Sequence, residues 1–244
     1  MEYMRVPNRS QRFTARGLFE GLFLVLAGMA LLSLAATPLC AGVIASSTFD
    51  INDEGWTNGN FDGPTASPTA VNYLSTGGNP GGQIQVYDSY YWNAFLAPSQ
   101  FLGNQSAAYL GSLTFDVYDV YVDSAYSPAV MISDGSTFLY SPLTLDSTVG
   151  GPPFNTLSVQ FQASTGWHTD ISGSSPATEA EMQTVLAHLQ ILAIEADWHS
   201  GDDDVHLDNV NLVSGASGVP EPATGILALG AGLCLLLAKR RKLV

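Results

Sequence analysis

Carboxylates are the most numerous groups in this chain that could bind or catalyse, and they gather in two places. Asp50, Asp53, Glu54 and Asp62 form one group, and Asp202, Asp203, Asp204 and Asp208 form another late in the chain. Hard oxygen donors at this density, with backbone carbonyls, are what calcium takes. If the first and last strands of a β-domain lie side by side, the two groups meet. Asp50, Asp53, Asp62 and Asp208 are then the candidate ligands, with Asp53 and Asp208 the best placed. The alternative is a solvated acidic loop beside Gly201. Tyr87, Tyr90, Tyr91 and Trp92 form a dense aromatic group. Such rings stack on sugar faces, with Tyr90, Tyr91 and Trp92 as the carbohydrate-contact candidates; otherwise they pack into a core. Paired carboxylates also serve glycosidases, and His168, His188, His199 and His206 could hold zinc or act as a base. None of these His falls in a His-x-x-x-His or His-Glu-x-x-His spacing, and no Gly-x-Ser-x-Gly elbow occurs. A glycan hydrolase is therefore the distant alternative, and no catalytic residue is assigned.

The basic residues sharpen the picture. All 8 Lys and Arg lie at the ends: Arg5, Arg9, Arg12 and Arg16, then Lys239, Arg240, Arg241 and Lys242. From Val43 to Ala238 there is none, so the formal net charge of −14 understates how acidic the middle is. No ammonium or guanidinium within that stretch can neutralise its carboxylates. Nucleic-acid binding, which needs a basic footprint, is excluded on charge.

The elements that must position these groups read as strands. Ile84 and Val86 share a face; Leu113, Phe115 and Val117 alternate with polar residues, as do Leu157, Val159 and Phe161. Val205 and Leu207 have one parity and Val210 and Leu212 the other, which predicts a bulge at Asp208-Asn209. Gly55 to Gly82 is rich in Gly, Asn, Pro, Ser and Thr and reads as turns and loops. One helix stands out. Thr178 and Glu181 fit a capping box, followed by Met182, Val185, Leu186 and Leu189 at helical spacing. A strand from Ile191 to Trp198 follows. Many strands and one short helix predict a mainly β fold, a jelly-roll or β-sandwich.

The ends read as targeting segments. Four Arg, an apolar run from Gly21 to Ala36 and small residues near Ala41 make residues 1–42 a signal peptide, cleaved between Ala36 and Ala45 or retained as an anchor. Cys40, after Leu39, is read as incidental and not as a lipidation site. Residues 43–213 form the domain and 214–218 a flexible linker. Residues 219–244 hold Val219-Pro220-Glu221-Pro222, an apolar run from Gly225 to Ala238 and a basic cluster. That run is shorter than the roughly 20 residues of a full span, but flanking residues extend it to a transmembrane helix. The cations should stay cytoplasmic, placing everything upstream outside. Cys40 and Cys234 lie in the end segments, so the domain has no Cys for a disulfide or a zinc site.

This tail resembles the PEP-CTERM sorting signal, through Val219, Pro220, Glu221 and Pro222, the Gly- and Leu-rich helix and the Arg-containing terminus. The resemblance implies processing by an exosortase, with the export machinery as partner, a membrane-anchored precursor, and delivery to the cell surface or beyond. Its members often accompany exopolysaccharide and biofilm. A second resemblance runs from Gln83 to Leu212. The order Trp92, Ala97-Pro98, Phe101-Leu102-Gly103, Tyr109-Leu110-Gly111, Trp167, Ala177 to Leu186 and Leu207-Asp208-Asn209-Val210 is similar to a laminin B domain, or laminin domain IV. It implies a non-catalytic extracellular β-sandwich with an adhesive or structural role, its partner an extracellular polysaccharide or matrix protein. A carbohydrate-binding module for exopolysaccharide is the alternative. No cofactor is implied beyond a structural calcium ion.

Overall fold

The computed structural model describes residues 41–87, 90, 92–120, 129–143, 152–198 and 201–215. The signal segment, the sorting motif, the apolar tail, Tyr91 and His199 lie outside the described residues. Cys40–Ser217 form one unit, and it is built as two antiparallel six-stranded sheets.

The longest strand, β12 (Asp204–Val213), organises the first sheet. Along one side it pairs with β7 (Ser112–Asp119), which in turn pairs with β10 (Asn155–Gln160). Its other side is shared. β5 (Gly81–Tyr87) takes Asp204 to Leu207, and β1 (Val43–Ser47) takes Val210 to Val213. β4 (Asn72–Gly78) completes the sheet against β5. The handover falls at the predicted bulge. The register shifts between Asp208 and Asn211, and Asn209 adopts a positive φ of 49°. This lets Val205, Leu207, Val210 and Leu212 all face inward, each fully buried.

The second sheet runs β3 (Thr69–Ala70), β2 (Thr57–Asn60), β6 (Asn93–Leu96), β11 (Ile191–Glu195), β8 (Val130–Ser133) and β9 (Phe138–Tyr140). Three strands, β2, β3 and β4, occupy Gly55–Gly82, where sequence composition predicts loops. Thr57-Asn58-Gly59-Asn60 has weak strand propensity, and its ladder with β6 imposes the extended state. β11 is shorter than the predicted Ile191–Trp198, ending at Glu195. Gly82 is fixed by close approach, since a Cβ there would lie 2.1 Å from the Phe49 carbonyl oxygen.

Between the sheets lies a core that includes Phe49, Trp56, Phe95, Phe101, Phe115, Phe161 and Trp167. The indole of Trp56 packs edge-on against Phe49 and Phe101 and donates to Ser47 Oγ at 2.9 Å. That of Trp167 stacks on Phe161 and donates to the Gln160 carbonyl at 2.7 Å. Large rings bury the most area, and a buried indole N–H needs such an acceptor. The helix α1 (Glu179–Ala187) has the predicted capping box and buries Met182, Val185 and Leu186. A second apolar cluster covers the outer face of the second sheet: Phe61, Ala94, Met131, Tyr140 and Ala193, with Trp92 and Ile171 packed against it.

Candidate functional site

Strand alternation sends every second residue of the first sheet outward, and the register lines these residues up across it. Tyr118 of β7 stands opposite His206 of β12, His206 opposite Gln85 of β5, and Gln85 opposite Asn72 of β4. At the β10 edge the Phe154 ring meets Tyr118 at 4.7 Å, and Tyr118 lies flat on His206 at 4.3 Å. The row is hydrogen-bonded along its length. Asn72 Nδ2 donates to Gln85 Oε1 at 2.8 Å, and Gln85 Nε2 donates to Asp204 Oδ1 at 2.5 Å. His206 Nδ1 is 3.0 Å from Gln83 Oε1, and its Nε2 is 3.2 Å from Asp204 Oδ1. Burial lowers the His206 pKa and outweighs the pull of Asp204, so the ring is neutral at pH 7. Tyr87 at the margin is exposed and Phe154 half-buried. The row is thus a preformed strip of rings and amides bordered by the Asp204 carboxylate, with Tyr118, His206 and Gln85 buried and its margins open.

One row along, Asp116 of β7 stands opposite Asp208 of β12. The hairpin between β4 and β5 closes over them. Asn79 N donates to Asp208 Oδ2 at 2.6 Å and Asn79 Nδ2 to Asp116 Oδ2 at 3.0 Å. Asn209 adds its N–H to Asp208 Oδ1 at 2.7 Å and its Nδ2 to Asp116 Oδ2 at 2.8 Å. Thr156 Oγ1 donates to Asp116 Oδ1 at 2.5 Å. Burial still raises the Asp208 pKa to about 6; these bonds oppose the rise, and Asp116 and Asp50 add to it.

The predicted calcium ligands divide between places. Asp50 approaches the same hairpin, where a Cβ on Gly81 would lie 2.4 Å from its Oδ1. Asp53 accepts from Gly55 N within its own turn. Asp62 follows Phe61 on the outer side of the second sheet, within electrostatic reach of Tyr140. β1 and β12 do lie side by side, as the calcium expectation needed, yet only Asp50 and Asp208 come toward one another. Among the described residues no group of three or more His, Cys, Asp or Glu is arranged to hold a metal ion.

The other end of β12 holds acids of which sequence reasoning singled out only Asp203, as part of the late carboxylate group. Glu195 closes β11, Asp119 closes β7, and Asp197 and Asp203 flank Trp198; Glu195, Asp119 and Asp203 are fully or almost fully buried. Trp92 Nε1 donates to Glu195 Oε1 at 2.8 Å, and Trp198 N donates to Asp203 Oδ1 at 2.8 Å. Glu195 Oε2 and the Trp198 indole N–H have no hydrogen bond of good geometry. Burial pushes the Glu195 pKa up to about 8, with Asp197 and Asp203 adding to the rise and the two indoles opposing it. Burial likewise raises Asp203, helped by Asp197 and Asp119. At neutral pH this end holds protons where the chain supplies no cation. The missed signal was parity: Asp119 continues the inward series Leu113, Phe115, Val117.

The carbohydrate candidates take different positions. Tyr90 donates its hydroxyl to the Ser67 carbonyl at 2.8 Å. Trp92 is half-buried, tilted against Phe61 at 5.6 Å. His188 is exposed at the C-cap of α1, and His168 lines a surface cavity.

A family model described as Laminin B (Domain IV) matches residues 91–226. Human laminin subunit gamma-1 is 28% identical over 181 residues, covering 74% of this chain and 11% of that protein. The Xenopus tropicalis subunit is 27% identical over 172 residues, covering 70% and 10%. The chain therefore spans about a tenth of the length of these relatives. Among solved structures, the L4b domain of human laminin alpha-2 superposes with a TM-score of 0.55 at 13% identity, over 71% of this chain and 98% of that one. The CBM22-1 xylan-binding domain of Paenibacillus barcinonensis Xyn10C reaches a TM-score of 0.45 at 10% identity, over 75% and 100%.

Proposed function

Because this chain belongs to the laminin B (Domain IV) family, we propose that it is a non-catalytic, exported module that works by adhesion at or beyond the cell surface. Exosortase-type sorting through Val219, Pro220, Glu221 and Pro222 delivers it, from a precursor anchored by the apolar tail. The observation that carries the adhesive reading is the margin of that row, where exposed Tyr87 and Asn72 and half-buried Phe154 flank the buried Tyr118, His206 and Gln85. A margin held in place by a prebuilt row gives a partner a surface that costs little to order. The test is retention of the full chain on immobilised exopolysaccharide and on matrix protein, with Tyr87→Ala and Phe154→Ala beside it. Weakened retention of both variants supports the strip; unchanged retention removes it.

The second reading, carbohydrate binding, is favoured by the same rings. Selective retardation by a neutral polysaccharide in native affinity gels supports it, and binding confined to matrix protein rejects it. Sorting is tested by mass spectrometry of the mature C-terminus. An end between Pro220 and Thr224 supports exosortase processing, and an intact tail leaves a simple anchor. Calcium belongs to this reading only at the hairpin where Asp50 and Asp208 approach. A melt with and without EGTA tests it, and an unchanged midpoint removes the ion.

A further inference from the structure

On the outer side of the second sheet, apart from the strip, lies a surface cavity of about 210 Å³. That is several times the ~30 Å³ of one liquid water. Tyr140, Ser141, Pro142, His168, Asp170, Ile171, Ser172 and Gly173 line it. β9 brings Tyr140 there, and the backbone bonds between Tyr140 and His168, at 2.9 and 3.1 Å, fasten the far wall to the strand. Tyr140 is 7% exposed, and its hydroxyl makes no hydrogen bond with any described residue. The Asp170 carboxylate is oriented by its own turn: Ser174 N and Ser175 N donate to it at 3.1 and 2.6 Å, and the Ser172 and Ser174 hydroxyls also donate. These bonds hold Asp170 well below the usual carboxylate range, so it stays ionised. Asp62, exposed, lies within electrostatic reach of the same hydroxyl, and both carboxylates raise the Tyr140 pKa beyond what burial alone does.

The cavity thus combines a ring, an unengaged phenol, one fixed carboxylate and a second nearby. No Lys or Arg between Val43 and Ala238 can supply the counter-charge. A neutral sugar would gain hydrogen bonds but nothing from the charge of the two carboxylates; an anion would be repelled. A primary ammonium on an alkyl stem satisfies each part. Its stem would lie along Pro142 and Ile171 and its charge beside Asp170, with Asp62 adding attraction from nearby and the phenol oxygen free to accept an N–H.

We propose that this cavity is a lysine-binding pocket, taking the side-chain ammonium of a partner protein. The inference rests on the adhesive reading and names the chemistry of one contact in it.

The test is equilibrium dialysis of the full chain against acetyl-Gly-Lys-Gly-amide and its Nε-acetyl-lysine twin. The two peptides differ only in the charge of the side-chain nitrogen. The free-amine peptide is expected to bind about tenfold more tightly than its twin, with the preference falling in high salt. Tyr140→Phe and Asp62→Asn leave the Asp170 turn intact and should each cut the preference severalfold. Asp170→Asn should abolish it. Equal binding of the twins, or a preference untouched by both Tyr140→Phe and Asp62→Asn, overturns the pocket. If the same variants still adhere to matrix while lysine binding is absent, the pocket fails and the adhesive reading stands.

Discussion

Asp116 and Asp208 on the outer face of the first sheet are held by amides, whereas Glu195, Asp119 and Asp203 at the sandwich end are crowded against one another. Both groups are buried in a stretch without a single Lys or Arg. At the hairpin, Asn79, Asn209 and Thr156 supply five donors, three to Asp116 and two to Asp208, whose pKa rises only to about 6. At the end, indole and backbone donors are fewer, and Glu195 rises to about 8. Burial is the largest cause in both places, and the difference lies in how many donors oppose it and how many like charges add to it. A buried carboxylate without a cation keeps its charge where donors converge and takes a proton where they do not.

The largest test of this contrast is stability against pH. Folded pKa values raised above unfolded ones mean that the folded state binds more protons, so stability falls as pH rises. The decline should begin in the ordinary carboxylate range and ease in two steps, at about pH 6 as Asp208 finishes ionising and at about pH 8 as Glu195 and Asp203 do. The loss between pH 6 and 8 is on the order of 3 kcal/mol for Glu195 alone, and Glu195→Gln should remove that share. Denaturant titrations between pH 4 and 9 measure both steps, and flat or rising stability above pH 6.5 breaks the comparison. Next in size, Asp208→Ala strips acceptors from Asn79 N and Asn209 N and should cost about 2 kcal/mol. A pair of changes at pH 8.5 should then show opposite signs. Asp119→Asn relieves repulsion and stabilises by about 1 kcal/mol, while Asp116→Asn disturbs a satisfied network and destabilises by a similar amount. Equal signs would show that donors do not distinguish the two sites. The smallest effect belongs to Asn209→Gly, which keeps the positive φ but removes one amide. It should cost under about 1 kcal/mol in denaturant titration, because it removes one donor to Asp116 and keeps the backbone N–H that serves Asp208.

Local rules made part of this legible in the sequence. The capping box at Thr178 and Glu181 is satisfied within four residues, and the bulge at Asp208-Asn209 follows from a change of parity. Gly55–Gly82 misled because Thr57 to Asn60 become a strand only through their partners in β6. The acidic end was hidden for the same reason. Glu195, Asp119 and Asp203 are distant in sequence, and only the pairing of β7 with β12 and the turn after β11 bring them together. The strip was half visible: Gln83, Gln85 and His206 were readable as outward positions, but their alignment into one row is a property of register. The capping helix, the core strands and the bulge needed neighbours in the chain; the sites needed neighbours in space.

The shared edge of β12 also bears on how this domain carries mechanical load. Gly42 and Ser214 are tied by two hydrogen bonds at 2.8 Å, so entry to β1 and exit from β12 lie together. Tension arriving through the chain beyond Ser214 is fed into β12 along its length, where β7 grips one side and β1 and β5 the other. Such a pull must shear several ladders at once before any strand slides. The same ten-residue strand that carries His206 and Asp208 is therefore the domain's tie-rod, and a contact made on its outer face bears directly on the element that resists extraction.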